Sequence, residues 1–204
     1  LQVRVLNASG TDAVDPFEYD ATATTPEKKV IALPTGTYTV QASSAGFDGK
    51  TSGYDKPYYV GSTEATVTKN NEVAAKVVCT LANVKVTVNF DASFKEAFTS
   101  ATATVKSLEE GKADQLAFTM GGTQSVGYFP VTDLVANIAV KNKSGQSHNQ
   151  DNEIKDVQAR DHYIFNYSVA ESGTGSFQIS VDAATRTYTY DFTVPTKASL
   201  AVSA

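Results

Sequence analysis

Hydrophobic side chains recur at alternate positions along most of this chain, between clusters of Gly, Asn, Asp and Ser. A two-residue period puts successive side chains on opposite faces of an extended backbone, so it predicts half-buried β-strands. The predicted strands span residues 2–7, 28–33, 37–43, 57–60, 63–68, 72–90, 99–107, 115–120, 134–142, 161–170, 175–182 and 186–195. The segment 93–98 has helical spacing instead, with Ser93 as its predicted N-cap and Phe94 and Phe98 on one face.

The apolar positions of segment 71–90 change parity halfway along. The first half of the segment has Val73, Ala75, Val77, Cys79 and Leu81 at odd positions, opposite Lys76 and Thr80, and the second half has Val84, Val86, Val88 and Phe90 at even positions. A shift of one residue turns every side chain to the other face. Residues 73–90 in a straight strand would extend roughly 60 Å, whereas a 100-residue domain has a radius of gyration of about 13 Å. We therefore predict two domains, 1–82 and 83–204; a bent strand in one large sandwich is the alternative.

The composition fits a β protein. Hydrophobic residues make up 41% of the 204 residues and charged residues only 19%, with 10 Tyr, 10 Phe and abundant Thr and Val, a mixture typical of pleated strands. Each predicted strand of the second half has one apolar face. Two antiparallel sheets packed face to face satisfy that pattern, so the predicted fold class is an all-β, mostly antiparallel sandwich.

Charge and cysteine content exclude several classes of function. A net charge of -5 and a pI near 5.0 repel phosphate backbones, so we expect no nucleic-acid partner. Cys79 is the only cysteine, which excludes a disulfide within the chain and any metal site built from several cysteines. On the apolar side of its predicted strand, Cys79 is expected to be a small buried hydrophobe. We expect neither a signal peptide nor a transmembrane helix in this sequence, whose first residues look like those of a processed chain.

Segment 46–51 ends in Gly-Lys-Thr, like a phosphate-binding loop. The full motif also needs a Gly where Ser44 stands, and a helix directly after the loop. Because residues 52–57 cannot open a helix, we interpret the segment as a connection between strands.

No set of residues has the spacing of a catalytic or metal site. His148 and His162 lack the neighbouring ligands that zinc requires, and Asp151, Glu153 and Asp156 lack the Gly-centred loop of a calcium site. We interpret His162 as a strand-edge residue and the others as parts of a solvated polar loop. The sequence thus predicts no metal, no cofactor and no enzymatic activity.

Tyr58 and Tyr59 follow Pro57 and are the candidate contact residues. Their rings could bind a sugar or a peptide; alternatively they lie on opposite faces of a strand, one in the core and one in solvent.

The C-terminal tail alternates again after Pro195, with Ala198, Leu200 and Val202 on one side. This short strand could close its own domain or be donated to the sheet edge of a neighbouring subunit.

Several stretches carry a resemblance to a known family: 33–44 (LPTGTYTVQASS), 54–61 (YDKPYYVG), 77–88 (VVCTLANVKVTV), 127–129, 154–157, 160–163, 173–179 and 192–195. In order and spacing they resemble a Bacteroidetes surface-lipoprotein family of unknown function, which looks related to fimbrillin-like pilus and adhesin proteins. The resemblance implies transthyretin-like or fimbrillin-like sandwiches, export, and a lipid anchor upstream of Leu1 on the outer membrane surface. It implies no catalytic residue.

Two functions follow as expectations. The first is a non-catalytic structural or adhesive surface protein, such as a pilus subunit, tip or anchor component, with other surface or pilus subunits as partners. The second is a binding or spacer module of a glycan-handling surface lipoprotein, with Tyr58 or Tyr59 facing the glycan.

Overall fold

The computed structural model describes residues 1–20, 29–109, 114–123 and 125–169 in full, and the backbone of the strands at 181–182 and 187–194. In chain order the elements are β1 (Gln2–Leu6), β2 (Phe17–Glu18), β3 (Gly36–Ser43), β4 (Gly53–Tyr54), β5 (Tyr59–Val67), β6 (Thr80–Leu81), β7 (Val84–Phe90), α1 (Ala92–Ala97), β8 (Phe98–Ser107), β9 (Gln115–Thr119), β10 (Gly127–Phe129), β11 (Leu134–Asn142), β12 (Ser147–Ile154), β13 (His162–Val169), β14 (Val181–Asp182) and β15 (Thr187–Val194). The predicted all-β class is confirmed.

The chain divides into two compact units, Leu1–Asp48 with Pro57–Ala82 (unit 1) and Gly49–Lys56 with Asn83–Ala204 (unit 2). Unit 1 holds sheet A, with the strand order β2-β1-β3-β5-β6, entirely antiparallel. Unit 2 holds sheet B, in the order β14-β15-β13-β7-β10-β4, and sheet C, in the order β12-β11-β8-β9. Strand β13 pairs in parallel with β7 and with β15, and the remaining pairings are antiparallel.

One hydrophobic core joins the two sheets of unit 2. Alternate residues of β7, β10 and β13 from sheet B and of β8, β9 and β11 from sheet C belong to the same buried cluster. Val84, Val86, Phe129 and Phe165 in this cluster are 0% exposed. The period-two pattern of these strands has therefore produced a closed sandwich, in which each apolar face packs on the other.

Helix α1 covers one end of this core. Its N-cap is Asp91, whose Oδ1 accepts a hydrogen bond from the backbone N–H of Phe94 at 2.7 Å. The prediction of Ser93 as N-cap is therefore wrong, since Ser93 instead donates its hydroxyl to Asp91. Phe94 is fully buried and packs against Phe98, with 4.5 Å between the ring centroids.

Residues 49–56 are part of unit 2 although the chain on both sides of them is in unit 1. Strand β4 pairs with β10, and Ser52 donates its backbone N–H and its hydroxyl to Asp114 Oδ2 at 2.7 and 2.6 Å. Asn83, which is fully buried, donates its side-chain amide to the carbonyl of Lys56. The sequence pattern grouped 49–56 with the N-terminal domain, and the division into domains 1–82 and 83–204 stays a prediction.

Several predicted strands differ from the observed ones. Residues 29–33 and 72–79 are not in strands, and the predicted strands 57–60 and 63–68 are parts of one strand, β5. The polar loop expected at Asp151 and Glu153 is wrong, because both lie in β12, which pairs with β11 along its whole length. Strand β12 lacks apolar alternation because it is a solvent-exposed edge held by main-chain hydrogen bonds.

Candidate functional site

One face of sheet A is apolar and borders a large cavity. Val3, Val5, Tyr38 and Ala42 on this face are at most 8% exposed. Together with Val40, Ala65 and Val67 they line a cavity of about 1100 Å³ that lies within unit 1. Its volume exceeds that of ordinary small-molecule pockets, which hold about 300–1,000 Å³.

Two irregular segments cover this face. Residues 29–35, 68–77 and Cys79 line the cavity, and none of them belongs to a strand. In a sandwich the covering layer would be a second sheet about 10 Å away. The described part of unit 1 contains no such sheet, so the apolar face has a loose cover.

We call residues 73–79 the strap. It crosses the apolar face where Cys79 Sγ lies 3.6 Å from the carbonyl oxygen of Ala42. A Cβ built on Gly61 would lie 2.2 Å from the carbonyl oxygen of Val78, so glycine is required at this crossing. Among the described residues the strap backbone forms no backbone–backbone hydrogen bond, and Val73 is 40% exposed.

Strand β5 has an open edge beside the strap. It pairs with β3 along Gly36–Ser43, but it pairs with β6 only through Tyr59 and Val60. Within the described residues the outer edge of β5 from Gly61 to Val67 therefore has no partner strand. Unpaired N–H and C=O groups along a strand edge are a template for another strand.

The four charged residues that line the cavity lie on its covering segments rather than on the sheet. They are Lys29, Lys69, Glu72 and Lys76. Lys29 Nζ lies over the ring of Phe17, 3.9 Å from its centroid, which is a cation–π geometry. The sheet side of the cavity is thus apolar.

The structure separates the two candidate tyrosines. Tyr58 is half-buried and meets Phe47 edge to face, with ring centroids 6.1 Å apart. Tyr59, the first residue of β5, is 41% exposed and donates its backbone N–H to Ser44 Oγ. Tyr59 is therefore the more accessible of the two candidates. The predicted donor residues of the tail, Ala198, Leu200 and Val202, lie outside the described residues.

The two histidines lie in different sheets and in different environments. His148 is exposed in the edge strand β12. His162 begins β13, where its Nε2 lies 3.0 Å from Thr87 Oγ1. Burial, followed by the positive charge of Lys85, lowers the pKa of His162 to about 4. A neutral imidazole at this position is a hydrogen-bonding group within the sheet.

The remaining motifs add no site to the described residues. No group of three or more His, Cys, Asp or Glu side chains in that part of the chain could hold a metal ion. The Gly-Lys-Thr end of segment 46–51 is followed by strand β4 instead of a helix. Cys79 is half-buried outside any strand, so the expectation of a buried strand residue is wrong.

Two features of the sequence indicate this site, although the alternation of side chains along one strand does not reveal it. Gly61 lies inside β5, and an interior glycine marks a place where another backbone approaches closely. The apolar residues at every odd position of 73–79 mark this segment as strand-like, although no strand forms there. Together they mark the strap and its crossing point.

The fold and this site define an all-β protein with a loosely covered, open-edged sheet in unit 1. The chain belongs to the family described as domain of unknown function (DUF4493), whose model matches residues 1–196. A crystal structure from Bacteroides ovatus ATCC 8483, described as a "putative adhesin", is similar with a TM-score of 0.40 and 10% identity over 77% of this chain and 77% of that chain. A search of curated proteins finds no match. No helix in the described part of the chain has the length and apolarity to span a membrane.

Proposed function

We propose that this protein is a non-catalytic structural or adhesive component of the cell surface, and that unit 1 accepts a β-strand from a partner. The observation that carries the proposal is the open edge of β5 from Gly61 to Val67 beside the apolar face of sheet A. A strand added to this edge would gain main-chain hydrogen bonds. Its alternate side chains would lie on the same face as Ala65 and Val67.

The proposed partner is a second copy of the chain, which donates its C-terminal tail. Ala198, Leu200 and Val202 alternate with Ser199, Ala201 and Ser203, so the larger apolar side chains of an extended tail share one side. The resemblance to fimbrillin-like proteins supports the finer proposal of a pilus subunit, tip or anchor component. Export and a lipid anchor at the outer membrane surface belong to the same proposal.

Sedimentation of the full chain and of a chain lacking 197–204 tests strand donation. We expect the full chain to associate as its concentration rises, and the shortened chain to stay monomeric with an unchanged melting temperature. The matched substitutions are Leu200→Asp, on the apolar side of the tail, and Ser199→Asp, on the other side; only the first should prevent association. A shortened chain that melts earlier but associates normally would mean that the tail closes its own domain, and a full chain that never associates would end the proposal.

A glycan-binding role is the second candidate because Tyr59 is 41% exposed at the start of β5, while Val60, on the opposite face of the strand, is 39% exposed and provides a matched control. An exposed tyrosine ring is a common platform for sugars because its face is apolar and its hydroxyl is polar. Binding to a glycan array should be lost in Tyr59→Ala and retained in Val60→Ala. An array without any bound glycan would reject this candidate.

A further inference from the structure

The register that pairs β5 with β6 can be extended along the chain, so that the strap, which directly precedes β6, would pair with the rest of β5. Tyr59 lies opposite Leu81 and Val60 lies opposite Thr80. Each step forward along β5 is one step backward along its antiparallel partner. Without a bulge, the same register would place Gly61 opposite Cys79 and Val67 opposite Val73, the two ends of the strap.

The turn needed for this longer hairpin is already present. Residues 68–72 connect the end of β5 to the strap. Within them Asn70 has a φ of 56°, and the backbone N–H of Asn71 donates to the carbonyl of Thr68 at 3.3 Å. Asparagine tolerates this left-handed conformation better than most residues, so the turn suits its sequence.

The side chains also agree with the extended register. Antiparallel partners share a face of the sheet. The odd-numbered apolar residues of the strap would therefore join Ala65 and Val67 on the apolar face. On the opposite face Lys76 would lie across from Glu64, a favourable pair of opposite charges.

We infer that the strap has two alternative positions, across the apolar face as observed or zipped onto the edge of β5, and that the zipped position blocks strand acceptance from within the chain. The observed position leaves the edge of β5 open. The zipped position would use the same N–H and C=O groups that an incoming strand needs, so the two are mutually exclusive. The blocking role rests on the proposed function, whereas the existence of two positions does not.

Gly61 decides between the positions. In the observed position an added Cβ would collide with the backbone of Val78, 2.2 Å from its carbonyl oxygen. In the zipped position Gly61 would be an ordinary strand residue, where a β-branched side chain is favoured. Gly61→Val should therefore shift the strap toward the zipped position without unfolding unit 1.

Cysteine pairs measure the two positions directly in the full chain. Thr63→Cys with Val77→Cys, in a Cys79→Ser background, places both thiols opposite each other when the strap is zipped. The matched control keeps Thr63→Cys and Cys79→Ser but carries Ala74→Cys in place of Val77→Cys. In the zipped strap residue 74 would lie on the opposite face of the sheet from Thr63. Under mild oxidation we expect the first variant to lose its free thiols and the control to keep them. A separate variant, Ala42→Cys with the native Cys79 retained, should crosslink when the strap is in the observed position.

The inference is overturned if only Ala42→Cys crosslinks, or if the Thr63 pair and its control crosslink equally. Adding Gly61→Val should raise the crosslinked fraction of the Thr63 pair, and a lower fraction would also contradict the two-position strap. Self-association, measured on the oxidised Thr63–Val77 variant, should be lost and should return on reduction. Crosslinking without any association in the unmodified chain would retain the two positions and reject only the proposed function.

Discussion

Val77 in unit 1 and Val88 in unit 2 come from the same segment of the sequence, 71–90, yet they lie in different environments. Val88 is 1% exposed in the core between sheets B and C, whereas Val77 is half-buried in the strap. Both segments carry apolar residues at every second position, although the strap also has Ala74 and Val78 between them. The difference is the opposing layer. Strand β7 faces a second sheet, whereas the described part of unit 1 contains no second sheet for the strap to join. Alternation therefore specifies a face, but the facing element determines how completely that face is buried.

Matched valine truncations test this contrast most strongly. Val88→Ala should lower the free energy of unfolding by about 2–3 kcal/mol, because a cavity would remain in a closed core. Val77→Ala should cost less than about 1 kcal/mol, because its side chain already reaches solvent. Urea denaturation of both variants measures the difference, and equal losses in one shared transition would remove the contrast.

Asp114 is one of the residues that hold segment 49–56 in unit 2. Asp114→Ala leaves the N–H and hydroxyl of Ser52 without their carboxylate acceptor, and should cost about 1.5–3 kcal/mol as a charge-assisted hydrogen bond is lost. Ser52→Ala completes a double-mutant cycle, in which we expect the double variant to lose less than the sum of the single ones. Additive losses would mean that Ser52 and Asp114 stabilise the fold independently.

Removing the N-cap of helix α1 should lower the free energy of unfolding by a smaller amount. Asp91→Ala removes the N-cap acceptor for Phe94 N–H and should cost about 1 kcal/mol. Glu96→Ala, an exposed change in the same helix, is the control and should be nearly neutral. Thermal melts distinguish the two, and an Asp91→Ala variant as stable as Glu96→Ala would contradict the observed cap.

His162 should give the smallest effect, and only in acid. Its pKa is lowered to about 4 in the folded chain, below the ordinary value of 6.5. The unfolded chain therefore binds the proton first, so the stability contribution is complete above pH 6.5 and is lost as the pH falls toward 4. His162→Gln should flatten the melting temperature in this window relative to the wild type. His148→Gln, at an exposed position, should leave the profile unchanged; identical profiles for all three chains would contradict the lowered pKa.

The strand pattern predicted the longer strands that carry an apolar face, in sheet A as well as between sheets B and C. Residues 99–107, 115–120 and 134–142 correspond closely to β8, β9 and β11, because alternation and burial coincide there. It missed β12, whose pairing depends on main-chain groups that every sequence carries. It also placed a strand at 72–79, where the odd-numbered side chains are apolar but the backbone leaves the edge of β5 at Gly61.

The candidate site was only partly visible before the structure. The sequence marks Tyr58 and Tyr59 as candidates from their position after Pro57. The cavity and the open edge of β5 depend instead on residues distant in sequence, from Val3 to Cys79. Alternation within each segment determined which side chains share a face, since the two-residue period is local. Tertiary structure decided which faces meet and which edge stays open, because cover and pairing require segments that only the folded chain brings together.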